Sequence, residues 1–374
     1  MPHQLPVALD DAELDALAGE LDAIHREEKA SLGARDRRYV RRVIAVQRGL
    51  GIAGRALIFA SLPLLFLASW WGVFLAVIAA GTVALALSKI LENMELGHNV
   101  MHGQWDWMRD PRIHSTTWEW DTVCPSDQWK HSHNAVHHVW ANVIGRDRDI
   151  GYTILRVNPA QPWSAWYLLQ PIYSVVLALL FEWGVALYNL DFDELRRGDL
   201  TPDDFRRQLR EIRRKMRRQI LKDYVLWPLL AGPWFLPVLL ANAAANVIRS
   251  VWGYAIIFCG HFPDGVHVFT EAQIAGESRG GWYARQILGA CNIRGGRLFH
   301  VVSGHLGHQI EHHLFPDLPS HRYPEIAPRV QALCARYGIT YNSASLARQL
   351  GTTVRTIWRL ALPPRPWRLP FVRA

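Results

Sequence analysis

Apolar residues run almost unbroken from position 49 to about position 86, and a helical pattern continues to His98. One helical crossing of a bilayer takes about 20 residues. Residues 49–98 therefore predict two antiparallel membrane helices turning near residues 69–72, where Trp70 and Trp71 suit the far interface. A second apolar stretch, 224–260, is broken by Pro228, Pro233 and Pro237 and carries Arg249; it predicts a second hairpin. A third, 162–190, is long enough to span once but contains Pro171 and Glu182. The intervening segments, 96–160 and 261–340, are hydrophilic, and the first is rich in histidine and tryptophan.

The polar stretches set a direction. Residues 10–31 read as an amphipathic helix, and residues 35–48 and 191–223 are strongly basic, so both basic stretches are expected on the cytoplasmic face. The histidine-rich segments must share one side to build one site. Two crossings in 49–98 and two in 224–260 satisfy both demands if 162–190 is an interfacial or re-entrant helix. The expectation is an all-α integral membrane protein: one domain over 1–374, four transmembrane helices as two hairpins, an interfacial helix, a cytoplasmic histidine-rich cap (96–160 and 261–340), and both termini cytoplasmic. No internal repeat is evident.

Composition narrows the chemistry. Half of the residues are hydrophobic and the net charge is +8. With long apolar runs present, that positive balance points to anionic headgroups and not to nucleic acid. The four cysteines, Cys124, Cys259, Cys291 and Cys334, form no CxxC pair, which argues against iron–sulfur clusters, thiolate zinc sites and a disulfide framework. The acidic N-terminal stretch does not read as a signal peptide.

Histidine carries the information: there are 17. His98-Asn-Val-Met-His102 follows the first hairpin, His133-Asn-Ala-Val-His137-His138 follows it in the hydrophilic segment, and His308-Gln-Ile-Glu-His312-His313 lies after the second hairpin. In an α-helix the i, i+4 pair shares a face, and the extra histidine of each HxxxHH points about 100° away. One short helix can thus serve two metals. Eight imidazoles exceed what one tetrahedral zinc uses and fit two metals at roughly five or six ligands each. His261, in Phe-Cys-Gly-His-Phe-Pro, offers a ninth. Neutral nitrogen ligands without bridging thiolates suit iron chemistry with dioxygen. A single HxxxH is usually ordinary polarity; three clusters at or beyond the ends of apolar segments are hard to obtain by chance. Glu95, Asp147, Asp149 and Glu311 are placed by sequence to orient ligating imidazoles. His114, His131 and His300 lie near the boxes.

The three boxes, their order and their spacing from the apolar hairpins resemble the membrane fatty acid desaturase family over roughly residues 40–335. The stretch from Gln309 to Pro316 (QIEHHLFP), the segment 258–265 (FCGHFPDG) and the run from His98 to Trp107 (HNVMHGQWDW) are similar to bacterial acyl-CoA desaturases. The resemblance implies a cytoplasmic diiron site and O2-dependent removal of two hydrogens from an unactivated acyl chain. It implies His98, His102, His133, His137, His138, His312 and His313 as iron ligands, with His261 as an additional one. Family third boxes read HxxHH or QxxHH, which puts Gln309 in the first-ligand position. Here His308 precedes it, and His305 lies one turn earlier; the spacing favours His308 and leaves all three open.

An unactivated methylene has no acidic proton, so the protein must hold the chain in a dry, narrow tunnel beside the metals. Trp105, Trp107, Trp118 and Trp120 are candidates for its mouth. Two electrons per turnover must come from a separate reductase or carrier, because the chain shows neither a dinucleotide fingerprint nor a heme module. The basic helix in 191–223 suits an acidic carrier, CoA phosphates or lipid headgroups equally. A diiron hydroxylase on the same scaffold is the alternative enzyme. A metal transporter is disfavoured because the histidines lie at or beyond the ends of the spans.

Overall fold

The computed structural model describes residues 6–66, 68–190 and 192–364; the first five and last ten residues, on which the expected cytoplasmic termini fall, lie outside that range. Helix α1 (Asp11–Ala30) is capped by Asp10, whose side chain accepts the Glu13 amide while Glu13 returns the bond. Helices α2 (Ala34–Ser61) and α3 (Trp71–Ile90) form the first hairpin. They approach closely because Gly54 and Gly81 face one another. A Cβ on Gly54 would lie 2.7 Å from Leu85 N and one on Gly81 2.9 Å from Ile58 N. Glycine at such contacts lets apolar helices pack backbone to backbone. Two 3₁₀ turns, Leu62–Phe66 and Ala68–Trp70, make the connection.

Beyond α3 the helix continues as a π-helical stretch, Leu91–His98, and a last turn, Asn99–Met101. Residues 165–188 form helices α4 (Gln170–Leu179) and α5 (Phe181–Tyr188), and the chain bends by 103° between them. Neither piece is long enough to cross alone. Helix α6 (Pro202–Gln219) runs through a π segment, Ile220–Leu226, into Trp227–Leu229. A turn over Gly232–Trp234 then leads into α7 (Phe235–His261). A π segment frees backbone groups, and inside a bilayer these need partners. Asn242 of α7 supplies one, donating from Nδ2 to Asp223 O at 2.7 Å.

Among the described residues, three helical runs are long and apolar enough to cross a membrane: Ala34–Phe66, Trp71–Met101 and Gly232–His261. The bent pair makes a fourth if it counts as one span. Their outward faces are apolar, with Ile52 72% exposed, Ile172 63% and Leu240 59%; such a belt needs lipid. The second hairpin differs from expectation in its first arm, where 224–229 is the short apolar end of a mostly basic helix. Charges within the bundle are paired. Fully buried Asp223 accepts from Lys89 Nζ at 2.7 Å and Arg55 Nη2 at 3.1 Å, and Arg249 pairs with Glu182.

The hydrophilic parts build a cap from α1, α8 (Arg279–Leu288), α9 (Gln309–Leu314), α10 (Tyr323–Arg336) and α11 (Leu346–Ala361). Leu17, Leu21 and Ile24 of α1 pack into a core with Tyr283, Phe315 and Tyr323. The described residues are mostly helical, as an all-α fold requires, with one short strand pair besides. Asn292–Arg294 and Ser343–Ser345 pair as short parallel strands, which tie the approach to the third box to the start of α11.

Candidate metal centre

The first box sits on the π-helical end of the α3 run. The second lies on another π segment, His131–His137, which passes into His138–Trp140. The third lies on α9. These pieces converge at the end of α7. His98, His102, His133 and His312 each offer a ring nitrogen, all within 4.8 Å of one another, and His137, His261 and His313 do the same. His138 lies between the groups, its ring centroid 4.5 Å from His313, 4.6 Å from His102 and 4.8 Å from His312.

Four of the rings are held at Nδ1 by a neighbouring side chain. Nδ1 of His98 meets Asn99 Oδ1 at 3.1 Å, that of His137 meets Asp147 at 3.1 Å, that of His312 meets the Tyr323 hydroxyl at 3.3 Å, and that of His313 meets Gln286 Oε1 at 2.9 Å. The Nε2 atoms of His102, His133, His137, His138 and His312 are buried without a hydrogen-bond partner. Burial, reinforced by neighbouring imidazoles, holds His102, His133, His138, His312 and His313 well below the ordinary histidine pKa, so they are neutral. His137 differs. Burial lowers it, but the carboxylates of Asp147 and Asp149 outweigh that and carry it up to about 9. Metal ligation needs neutral imidazole with its second nitrogen anchored. Buried, unpartnered Nε2 atoms in two adjacent groups fit a pair of nitrogen-preferring metal ions such as iron.

The other candidates separate. His308 does not join either group: its ring lies 4.4 Å from that of His300, and its nearest carboxylate is Glu311 at 3.7 Å. The spacing argument for His308 assumed a helix that has not yet begun. Gly304 and His305 take left-handed φ values of 68° and 55°, and α9 starts only at Gln309. A Cβ at position 304 would lie 2.5 Å from Met94 O, so the glycine is needed for that turn. His305 turns away to Glu95, at 3.0 Å. Gln309 faces the centre, its Nε2 2.9 Å from His261 Nε2. Of the four carboxylates, Asp147 holds His137, while Asp149 stands 3.5 Å from His137 Nδ1 and 3.7 Å from His133 Nδ1. Glu95 and Glu311 bond outside the two groups, to Tyr39 and Ser320 and to Asn292 and Tyr341 respectively. His114 pairs with Thr116 and lies near Asp106, away from the centre.

An apolar cleft opens from His98, His133, His261 and Gln309. It passes Trp129, Tyr152, Phe181 and Tyr188 and reaches the Glu182–Arg249 pair. Of the tryptophans proposed for its mouth, only Trp120 lines it. Trp105 is instead packed in the cap, its ring 5.8 Å from His321 and 6.3 Å from Tyr39. Sequence reasoning passed over Trp129, which stacks on His133 at 4.3 Å; its place four residues before that histidine was a usable signal. Gln286 and Tyr323 lay in segments without a pattern, and nothing marked them.

A family model described as fatty acid desaturase matches residues 68–345. The chain is 47% identical over 361 residues to the NADPH-dependent stearoyl-CoA 9-desaturases of two Mycobacterium tuberculosis strains, CDC 1551 and H37Rv. Those alignments cover 96% of this chain and 82% of each relative. A shorter match, 27% identical over 113 residues, links it to the sn-1 linoleoyl-lipid 6-desaturase of a Synechocystis species, covering 29% of this chain and 31% of that one. A matched region holding all three histidine boxes, together with relatives aligned over nearly the whole chain, establishes that this chain belongs to the fatty acid desaturase family.

Proposed function

We propose that the enzyme desaturates a long-chain acyl-CoA, using O2 and electrons from a separate carrier, at two irons held by His98, His102, His133, His137, His138, His261, His312 and His313, with Gln309 beside His261. The observation that carries this reading is a cluster of buried imidazoles at the end of an apolar cleft, of which His98, His137, His312 and His313 are anchored at Nδ1 while His102, His133, His137, His138 and His312 leave Nε2 unpartnered. When bound, the irons supply the oxidising power needed to take hydrogens from two adjacent methylenes. The chain's own residues do the rest. Asp147, Gln286, Tyr323 and Asn99 fix the imidazole edges. Tyr152, Phe181 and Trp129 give the acyl chain an apolar wall that excludes water. His261 and Gln309 close the cleft at the reacting end.

Acyl-CoA as the substrate, and NADPH as the ultimate reductant, follow the names of the mycobacterial relatives. We place the histidine groups on the cytoplasmic side and count the apolar end of α6 as completing a fourth crossing. The basic residues at 35–48, at the same end of the first hairpin as His98, support that orientation.

The test is reconstitution of the iron-loaded protein in nanodiscs with stearoyl-CoA, O2 and reduced methyl viologen, followed by mass spectrometry of the acyl products. A new double bond, lost in His138→Ala and His312→Ala proteins that still insert, is expected. A hydroxylated product in its place, or full turnover by either variant, overturns the reading.

A further inference from the structure

Five arginines of α6, Arg210, Arg213, Arg214, Arg217 and Arg218, are exposed, and none has a side-chain partner among the described contacts. At 3.6 residues per turn they form one continuous stripe. The opposite face, with Leu209, Ile212 and Met216, packs into the apolar cluster that contains Trp120 and Trp129. Lys215 Nζ donates to Trp120 O at 2.7 Å, so Trp120 lies directly beneath the helix. From there aromatic rings lead inward: Trp120 to Trp129 at 5.3 Å, then Trp129 to His133 at 4.3 Å and to His98 at 5.3 Å. A charged docking stripe outside and a contiguous π path inside share one helix.

We infer that the arginine stripe of α6 docks an acidic one-electron carrier protein, and that its electrons reach the metal centre through Trp120 and Trp129. The inference rests on the desaturase reading. Each double bond converts CH2–CH2 and O2, with two electrons and two protons, into CH=CH and two waters. A one-electron carrier must therefore dock and leave twice per turnover, which favours fast, charge-steered, salt-sensitive association over tight binding.

Position on the helix selects the occupant. Exposed apolar residues begin at Ile220, just past Arg218. At about 1.5 Å per residue, Arg214 and Arg213 stand roughly 6–8 Å beyond Arg218 and Arg210 roughly 12 Å beyond it. The headgroup layer is only about 5–8 Å thick on each side. Headgroups can meet Arg217 and Arg218, while Arg210 stands clear of them, where a soluble protein can approach.

The test uses the full-length, iron-loaded enzyme in phosphatidylcholine nanodiscs, which carry no net lipid charge. Electrons come either from a reduced acidic [2Fe–2S] ferredoxin or from reduced methyl viologen, a small cation. For the triple variant Arg210→Glu, Arg213→Glu, Arg214→Glu, the KM for ferredoxin should rise at least about tenfold. Its steep dependence on ionic strength should vanish, while viologen-driven turnover and the KM for stearoyl-CoA stay within about twofold. Replacing the same three with glutamine should give an intermediate loss. A native enzyme that takes no electrons from the ferredoxin, or an unchanged ferredoxin KM in the variant, overturns the inference. So does a loss appearing instead in the stearoyl-CoA KM, which would assign the stripe to CoA phosphates, or one seen only when anionic lipid is added. Absence of viologen-driven desaturation in the native enzyme would sink the desaturase reading itself.

Discussion

Replacing Asp147 by asparagine isolates the anchoring of one imidazole from its presence. The carboxylate is 1% exposed and fully used. Both oxygens lie 3.1 Å from His137 Nδ1; Oδ2 also accepts the Asn142 amide at 2.8 Å and Oδ1 the Asp149 amide at 2.9 Å. Asparagine keeps the shape but turns one acceptor into an NH2. Whichever way it flips, one buried backbone N–H faces a donor, at a cost of about 1–3 kcal/mol. His137 also loses the negative charge that makes it a stronger base. Outer anchors of metal-bound histidines are typically worth about 10–100-fold in metal affinity or activity, which is about 1.4–2.7 kcal/mol at 1.36 kcal/mol per decade and agrees with the hydrogen-bond figure. The assay is iron per protein under graded chelator challenge, with turnover measured on the same samples and circular dichroism to confirm the fold. Iron should leave Asp147→Asn at roughly one to two decades lower chelator concentration. Asp149→Asn should do less, because its 3.5 Å approach to the same nitrogen is too long for a good hydrogen bond. Native iron retention and native turnover in Asp147→Asn would refute the anchoring argument.

Three further outcomes are expected. Gln309→Ala should lower turnover at least about tenfold, because it strips the group beside His261, whereas His308→Ala should stay within about threefold; product quantification on matched protein amounts decides, and the reverse order would restore His308 to the site. Gly54→Ala or Gly81→Ala should destabilise the first hairpin by about 1–3 kcal/mol through overpacking, read as a lower thermal midpoint in detergent; an unchanged midpoint would mean that the two backbones are not in contact. Burial raises Asp317, but its bonds to His25 and Lys29 outweigh that and hold it at about 2, below its unfolded value near 4. Its contribution is therefore complete above about pH 4 and lost as pH falls towards 2. Amide exchange in α1 should accelerate across that window, and Asp317→Asn should remove the dependence.

Much of this arrangement was readable from the chain because the histidines it gathers are sparse, clustered residues at the ends of apolar runs. The eight histidines from His98 to His313 that the structure gathers were all conspicuous by type and spacing. What the sequence hid was backbone geometry. The i, i+4 argument presumed α-helices, yet the first two boxes lie on or beside π segments. There an i→i+5 turn sets positions i+4 and i+5 on either side of i, which lets His137 and His138 flank His133. The third box defeated the same argument differently, since the left-handed turn at Gly304 and His305 leaves His308 ahead of the helix. The second hairpin was blurred because the arm preceding Gly232 draws its length from a basic helix and has only a short apolar end. The 103° bend between α4 and α5 carries no mark except Pro171 and Glu182, neither of which lies at the bend.

Helix α1 imposes an order on biosynthesis. Its partners come from the far end of the chain. Asp22 binds Arg279 and Tyr283, Glu20 binds Tyr337, and Lys29 binds the Asp317 carbonyl, over separations of 257 to 317 residues. Helix α1 is thus made before its partners and is among the last elements to find its place, after the apolar helices and the chain as far as Tyr337 have been made. His98 likewise meets His312 only then. Until that moment the apolar stripe of Leu17, Leu21 and Ile24 is uncovered, and the nascent chain holds an incomplete set of imidazoles. The histidine cluster is therefore assembled only after α9 has been made, and a ribosome that stalls before α10 leaves a polypeptide with helix α1 exposed and aggregation-prone.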